Sequence, residues 1–280
     1  MNISIIGLGL LGGSFALGLK AKGAPVTILG VDSNPRHASQ ALAGKIADQI
    51  LSLPEAVAKA DVVVLATPVN TILQQLPEVL DMLPAGAALL DFGSTKEQLC
   101  AAVATHPKRG QFVATHPIAG TEYSGPEAAF ASLLEGKTMI ICEREKSDPA
   151  ALAVVEQLCH TLDMQMRYMP AAEHDLHFAY VSHLSHISSF ALGLTVLDKE
   201  KNEKNIFDMA GSGFSSTVRL AKSSPQMWGP IFTQNRQNVS EALAGYIAQL
   251  QQFKEAIDAR DEEQTKEMMA KANEIRRILG

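Results

Sequence analysis

The feature that most constrains this chain is its first turn, Gly7-Leu8-Gly9-Leu10-Leu11-Gly12. It follows a short apolar run, Ile3–Ile6, and opens a stretch with helical spacing through Ala16 and Leu19. Between a strand and a helix, glycines at those offsets serve three ends. Gly7 permits a tight turn, Gly9 lets backbone approach a pyrophosphate, and Gly12 lets the helix pack closely on its strand. A helix starting there presents unpaired N–H groups and partial positive charge to phosphates. The next β-branched run, Val26–Val31, leads into Asp32, twenty residues after Gly12. A carboxylate at that place accepts hydrogen bonds from both ribose hydroxyls and repels a 2′-phosphate, so the expected cofactor is NAD rather than NADP. Arg36, four residues on, is a nearby group that would suit a 2′-phosphate. Leu10 and Leu11 in the turn, and Thr67-Pro68 at the end of a later run, complete the candidate cofactor contacts.

Further apolar runs at Asp61–Ala66, Ala88–Phe92, Phe112–Thr115 and Thr138–Cys142, with a weaker one at Gln165–Tyr168, alternate with helical periods such as Ile72, Leu76, Val79, Leu80 and Leu83. Near-continuous apolar strands separated by helices imply an α/β fold, a doubly wound parallel sheet of the Rossmann type with right-handed crossovers. After Pro170 no strand pattern follows. Apolar positions at Leu176, Tyr180, Ile187, Phe190 and Leu194, and again at Leu243, Ile247, Leu250, Phe253 and Ile257, recur mostly three, four or seven apart. That spacing predicts an all-helical second domain. The expected division is 1–169 for the Rossmann domain and 170–280 for the helical one. The second stripe reads as an internal core face or as a subunit contact.

Composition narrows the partners. Hydrophobic residues make up 46% and charged residues 19%, which excludes a disordered chain and a coiled-coil rod. A net charge of −6 counts against a nucleic-acid partner, since phosphate contacts demand clustered Lys and Arg. The three cysteines, Cys100, Cys142 and Cys159, form no CxxC pair, which fits a reducing compartment. Residues 1–19 carry no Lys or Arg and contain five glycines, unlike a signal peptide. No clean apolar run reaches ~18 residues, so no membrane partner is expected and a cytoplasmic location is.

Ligands of doubly wound sheets sit beyond the carboxyl ends of the strands, so strand ends hold the candidate chemistry. Two such ends read Asp91-Phe92-Gly93-Ser94-Thr95-Lys96 and Thr115-His116-Pro117-Ile118-Ala119-Gly120-Thr121-Glu122. Proline after His116 keeps it extended, at a strand tip, where an imidazole with the Ser94 hydroxyl nearby is a general-base candidate. In the helical part, His183 and His186 of Ser182-His183-Leu184-Ser185-His186 share one helix face. That pair lacks a third ligand at a clear spacing, so no metal is expected. His174 and His177 read as packed structural histidines, and Trp228 as a core residue. Arg219, after the glycine-loosened Gly211–Ser216 segment, suits a carboxylate clamp, because guanidinium binds carboxylate bidentately.

These segments together resemble the prephenate and arogenate dehydrogenases of tyrosine biosynthesis. The resemblance rests on Gly7–Ser14, Asp91–Lys96, His116–Gly125, Ser182–His186 and Gly213–Arg219 with the Ala-Lys-Ser-Ser-Pro that follows. It implies a Rossmann domain followed by a helical dimerisation domain, a homodimer, and NAD-dependent oxidative decarboxylation of a small cyclohexadiene. It also implies site roles. His116 would bond the substrate's ring hydroxyl, with Ser94 assisting. His186 would face the ring carboxylate, with Ser182 and His183 beside it. Arg219 would clamp the side-chain carboxylate, and Thr121 and Glu122 would sit at the mouth of the site. The family often has an acidic residue where Ser216 stands and a basic one at Tyr123. Two other readings share the glycine turn, namely another two-domain dehydrogenase of the β-hydroxyacid type and a non-catalytic NAD-sensing protein.

Overall fold

The computed structural model describes residues 1–121, 123–201, 203 and 205–279. The chain falls into two compact units, Met1–Asn235 and Arg236–Gly280.

The first unit is built on one eight-stranded sheet in the order β3-β2-β1-β4-β5-β6-β7-β8. Its chain order is β1 (Asn2–Ile6), α1 (Leu10–Ala21), β2 (Thr27–Val31), α2 (Pro35–Ala43), β3 (Gln49–Ile50), α3 (Leu53–Ala58), β4 (Val62–Leu65) and α4 (Val69–Met82). It continues with β5 (Ala88–Asp91), α5 (Glu97–Ala102), β6 (Phe112–Pro117), β7 (Thr138–Cys142), α6 (Pro149–Thr161) and β8 (Gln165–Met169). The central strands β4 and β5 are buried along their whole length, as residues covered by helices on both faces must be. One cluster, with Ile3, Ile5, Phe15, Val62, Val64 and Val155, fills one face; another, with Ile6, Val63, Leu65, Leu76 and Leu80, fills the other. The alternation of Val62, Val63, Val64 and Leu65 between the two follows from the two-residue repeat of a strand. The sheet is parallel except at one place: β7 runs antiparallel to β6.

Helices α7 (Ala171–Phe178), α8 (Leu184–Glu200), α9 (Ser212–Thr217) and α10 (Pro225–Gln234) complete this unit. Compactness therefore does not break at Pro170, where patterning changes. Ala171 and Phe178 pack into the second sheet cluster, and Val69 of α4 clusters with Trp228 and Ile231 of α10. A π-helical turn, Ala179–His183, joins α7 to α8. The expected stripe along this stretch is largely uncovered in the single chain: Leu176, Tyr180 and Leu194 are exposed.

The second unit pairs α11 (Arg236–Asp258) with α12 (Glu262–Ala272), and a last turn, α13, spans Arg276–Leu279. Asp261 caps α12 by accepting the Gln264 N–H at 2.9 Å. Val239, Ala242 and Ala256 are the buried residues of α11. Ile247, Leu250 and Ile257 are exposed, so the Leu243–Ile257 stripe is not an internal core face of one chain. No helix among the described residues is long and apolar enough to cross a membrane.

Candidate active site

The strand order reverses between β1's two parallel neighbours, β2 and β4, and ligands of such sheets bind beyond the carboxyl ends at that reversal. Gly7 turns the chain there with φ +98°, and a Cβ on it would lie 2.7 Å from the Ala66 carbonyl oxygen. At Gly12 a Cβ would lie 2.1 Å from the Gly7 carbonyl oxygen, so only glycine lets α1 approach its strand. At Gly9 a Cβ would meet nothing within 4 Å, leaving the turn open to a ligand. Gly9 is the N-cap of α1 and provides no side-chain cap, so the helix N–H groups have no side-chain acceptor from it. Asp32 is anchored beside the turn. Its Oδ2 accepts the Leu8 N–H at 3.0 Å and its Oδ1 the Asn34 N–H at 2.9 Å. Leu10 and Leu11 are the first residues of α1, and Pro68 is the exposed N-cap of α4. Thr67 is half-buried, its hydroxyl donating to Gln75 Oε1 at 3.3 Å. An open glycine floor, a helix N-terminus and an anchored carboxylate fit the phosphates and ribose of a dinucleotide.

β4, β5 and β6 run parallel to β1, which brings Thr67, Ser94 and His116 to the same sheet edge as the glycine turn. The loop carrying Ser94 is latched from within. Asp91 accepts the Gly93 N–H at 2.8 Å and the Thr115 N–H at 3.1 Å, and pairs with the Lys96 ammonium. Lys96 Nζ also donates to the Thr115 carbonyl at 2.7 Å. Asp91, Lys96 and Thr115 have no solvent exposure, so this ion pair ties the tip of β5 to the tip of β6 in a dry interior.

His116, buried at that tip, places Nδ1 2.9 Å from His174 Nε2. His174 Nδ1 in turn lies 2.7 Å from Asp175 Oδ1. Asp175 also accepts the backbone N–H groups of Lys96, at 2.8 Å, and Glu97, at 3.0 Å, and so caps α5 from across the fold. The Phe178 ring walls both imidazoles, with centroids 4.8 Å from His116 and 4.5 Å from His174. Burial, then the charges of His174, Lys96 and His183, hold His116 well below the usual histidine range. Burial with the Lys96 charge pushes His174 down to about 2. Both rings are neutral at pH 7.

The π-helical turn widens the helix and re-aims the residues after it. His183 ends it fully buried, with Nδ1 3.2 Å from Asn235 Nδ2. The same Asn235 amide donates to the Asp175 carbonyl at 2.6 Å. Burial pushes His183 down to about 4, against the pull of Asp175. His186 Nδ1 donates to the Ser182 carbonyl at 3.0 Å, and its ring stacks on Trp228 with centroids 3.5 Å apart. Burial lowers the His186 pKa, and the nearby Arg219 guanidinium lowers it further. Arg219 opens a short 3-10 turn whose seat is Ser189 of α8. The Ser189 hydroxyl donates to the Thr217 carbonyl at 3.0 Å and accepts the Ala221 N–H at 3.1 Å.

Hydrogen bonds join His116, His174, Asp175, Asn235 and His183, ring contacts continue from His183 through Trp228 to His186, and the charge of Arg219 acts on His186. Ser182 and Ser94 are half-buried, in the π-helical turn and in the loop after β5. Thr121 is exposed in the loop after β6, where its hydroxyl accepts the Tyr123 N–H at 3.2 Å. Glu122 lies outside the described residues. Two readings change. His177 is exposed, 3.8 Å from Glu173, rather than packed. His174, read as structural, is the partner of His116. Sequence reasoning also missed Asp175, Asn235 and the buried role of Lys96; the adjacent His174-Asp175 pair was the sole local signal.

A glycine-turn Rossmann sheet with a neutral histidine at a neighbouring strand tip defines the dinucleotide-dependent dehydrogenase class. Residues 15–168 match the family model "Prephenate dehydrogenase, nucleotide-binding domain" and residues 170–271 match "Prephenate dehydrogenase, dimerization domain". The chain belongs to the prephenate dehydrogenase family. It is 30% identical over 269 residues to the prephenate dehydrogenase of Bacillus subtilis (strain 168), covering 94% of this chain and 71% of that one. It is similar to the crystal structure of prephenate dehydrogenase from A. aeolicus in complex with hydroxyphenyl propionate and NAD+, with TM-score 0.89, 33% identity and coverage of 100% and 98%. It is also similar to Synechocystis arogenate dehydrogenase, with TM-score 0.77, 25% identity and full coverage of both chains.

Proposed function

We propose that this protein is an NAD-dependent dehydrogenase that oxidatively decarboxylates prephenate to 4-hydroxyphenylpyruvate, or arogenate to tyrosine, and acts as a homodimer in tyrosine biosynthesis. The observation that carries the reading is the placement of a buried His116, hydrogen-bonded to His174 and held neutral, on the same sheet edge as the glycine turn.

The substrate ring bears a hydroxyl on one carbon and a carboxylate with a side chain on the opposite carbon. NAD+ supplies the acceptor for the hydride that leaves the carbinol carbon. Gly7, Gly9, Leu10, Leu11 and Gly12 would cradle its phosphates, Asp32 its ribose, and Thr67 and Pro68 would flank it. His116 takes the hydroxyl proton as the carbinol becomes a carbonyl, and Ser94 shares that hydroxyl. The depressed basicity of His116 suffices, because the proton grows strongly acidic only as hydride departs. Carbon dioxide then leaves and the ring becomes aromatic, which makes the step irreversible. Arg219, whose planar guanidinium matches a carboxylate, holds the side-chain carboxylate that stays. His186, with Ser182 and His183 beside it, faces the carboxylate that leaves; with Nδ1 donating to the Ser182 carbonyl, its Nε2 donates to that carboxylate only in the protonated ring, which binds it without locking it in place. Thr121 and Glu122 border the entrance. The exposed apolar residues of α7 and α8 in the first unit, and separately those of α11 in the second, are surfaces that a second copy would cover.

The test is the rise of NADH absorbance with prephenate, arogenate and a β-hydroxyacid, each with NAD+ and with NADP+. Turnover of a cyclohexadiene with NAD+ supports the reading, and the two rates decide between prephenate and arogenate. Turnover of the β-hydroxyacid alone, or NAD binding with no turnover, replaces it with one of the two rivals. Sedimentation of a monomer would remove the dimer.

A further inference from the structure

We propose that His174 and Asp175 are positioning residues that fix the tautomer of His116, holding its proton on Nδ1 so that Nε2 keeps the lone pair. The inference rests on the dehydrogenase reading for what Nε2 does, but not for which nitrogen carries the proton.

The geometry gives the direction of the relay. Two backbone N–H groups donate to Asp175, that of Lys96 to Oδ1 and that of Glu97 to Oδ2, and Nδ1 of His174 lies 2.7 Å from Oδ1. Burial raises the Asp175 carboxyl above its ordinary range, while the two N–H donors and the Lys96 charge favour its ionised form, and both oxygens already act as acceptors. A carboxylate accepts only, so His174 must carry its proton on Nδ1. A neutral imidazole has one N–H, so His174 Nε2 is then an acceptor. It faces His116 Nδ1 at 2.9 Å, and that nitrogen must be the donor. His116 is left with a bare Nε2. The opposite tautomer would set two lone pairs against each other in a site with almost no solvent exposure, where an unsatisfied pair is costly. The Phe178 ring lies against both imidazoles, stacked on His174 and tilted to His116. The orientation matters because a general base in the wrong tautomer loses most of its effect, as the chymotrypsin-type triad shows when its aspartate is changed.

Histidine side-chain 15N spectra of the ligand-free protein read the tautomer directly, with His116 assigned by its disappearance in His116→Asn. The expected spectrum shows Nδ1–H and bare Nε2 for His116. Bare Nδ1 overturns the proposal whatever the activity. Two variants add the kinetic arm. In His174→Gln the side-chain amide oxygen replaces the acceptor, so the tautomer and kcat should stay near wild type. In His174→Phe the acceptor is gone; kcat should fall by about 10²-fold, the low end of what a general base contributes, with KM for both ligands little changed. Equal losses in both variants would make His174 a packing residue and overturn the relay. If His174→Phe does not fold, the wild-type spectrum and His174→Gln still decide. A correct tautomer in a protein that turns over no cyclohexadiene would leave the relay standing and sink the functional reading instead.

Discussion

Lys96 Nζ donates to the Thr115 carbonyl at 2.7 Å, so a fully buried ammonium grips the residue immediately before the candidate base. The same ammonium neutralises Asp91, which itself takes N–H bonds from Gly93 and Thr115. Replacing Lys96 by Met leaves a buried carboxylate without its counter-charge. Breaking a buried pair from one side typically costs about 3–5 kcal/mol. Urea unfolding of Lys96→Met should show a loss of that size, and Asp91→Asn added to it should restore part. A double variant no more stable than the single one would show that the pair is not the source.

His116→Asn should keep cofactor binding and lose ~10²–10⁴-fold in kcat, the range a general base contributes. The pH profile supplies a second check. A base works only when unprotonated, and burial holds His116 well below 6.5. The His116 contribution to the acid limb of kcat/KM should therefore lie below pH 6.5. A limb at or above 6.5 that vanishes in the variant would contradict the buried, neutral imidazole.

Arg219→Ala should act on binding. Loss of a charge-assisted hydrogen bond is worth about 1.5–3 kcal/mol, or roughly 10- to 150-fold in the substrate KM, with kcat much less affected. Lysine should not restore it, because an ammonium lacks the planar fork that grips a carboxylate. An unchanged KM in the alanine variant would place the clamp on another residue.

The parts of this site differ in how far the sequence reveals them, and the reason is distance along the chain. The glycine turn and Asp32 were legible because each position answers a local demand: a φ of +98° at Gly7, a 2.1 Å approach at Gly12, a strand end at Asp32. β3, only Gln49–Ile50, is too short to show a period. The reversal of β7 was hidden because strands buried on both faces look alike in either direction. The π-helical turn at Ala179–His183 breaks the 3.6-residue register, so a stripe read through it points Tyr180 outward. His174 meets His116 across 58 residues of sequence, and nothing in either neighbourhood announces the meeting.

Asp32→Ser should weaken NAD and relax the choice of cofactor. The carboxylate repels a 2′-phosphate, and its Oδ2 bond to the Leu8 N–H also shapes the glycine turn. The expected outcome is a fall in kcat/KM with NAD and a smaller fall, or a rise, with NADP. Equal use of both cofactors by the unmodified protein would remove Asp32 from the discrimination.

The buried histidines make stability depend on pH with a definite sign. His174 is pushed down to about 2 and His183 to about 4, while in the unfolded chain both return to 6.5. Below pH 6.5 the unfolded state therefore binds more protons than the native one, and stability falls as the pH falls. Each such histidine contributes about 1.4 kcal/mol per pH unit once its unfolded form is fully charged. From about a pH unit above 6.5 neither state is protonated at these rings and their share of the slope vanishes. The histidine share of stability in urea titrations should be flat near pH 7 to 8 and decline from pH 6.5 towards 5, while Asp91 and Asp175, whose carboxyls burial raises, act with the opposite sign at acid pH. His183→Phe should be less steep than the parent over that window by about one histidine's share. Parallel curves for the two proteins would mean that His183 is not held neutral in the folded state.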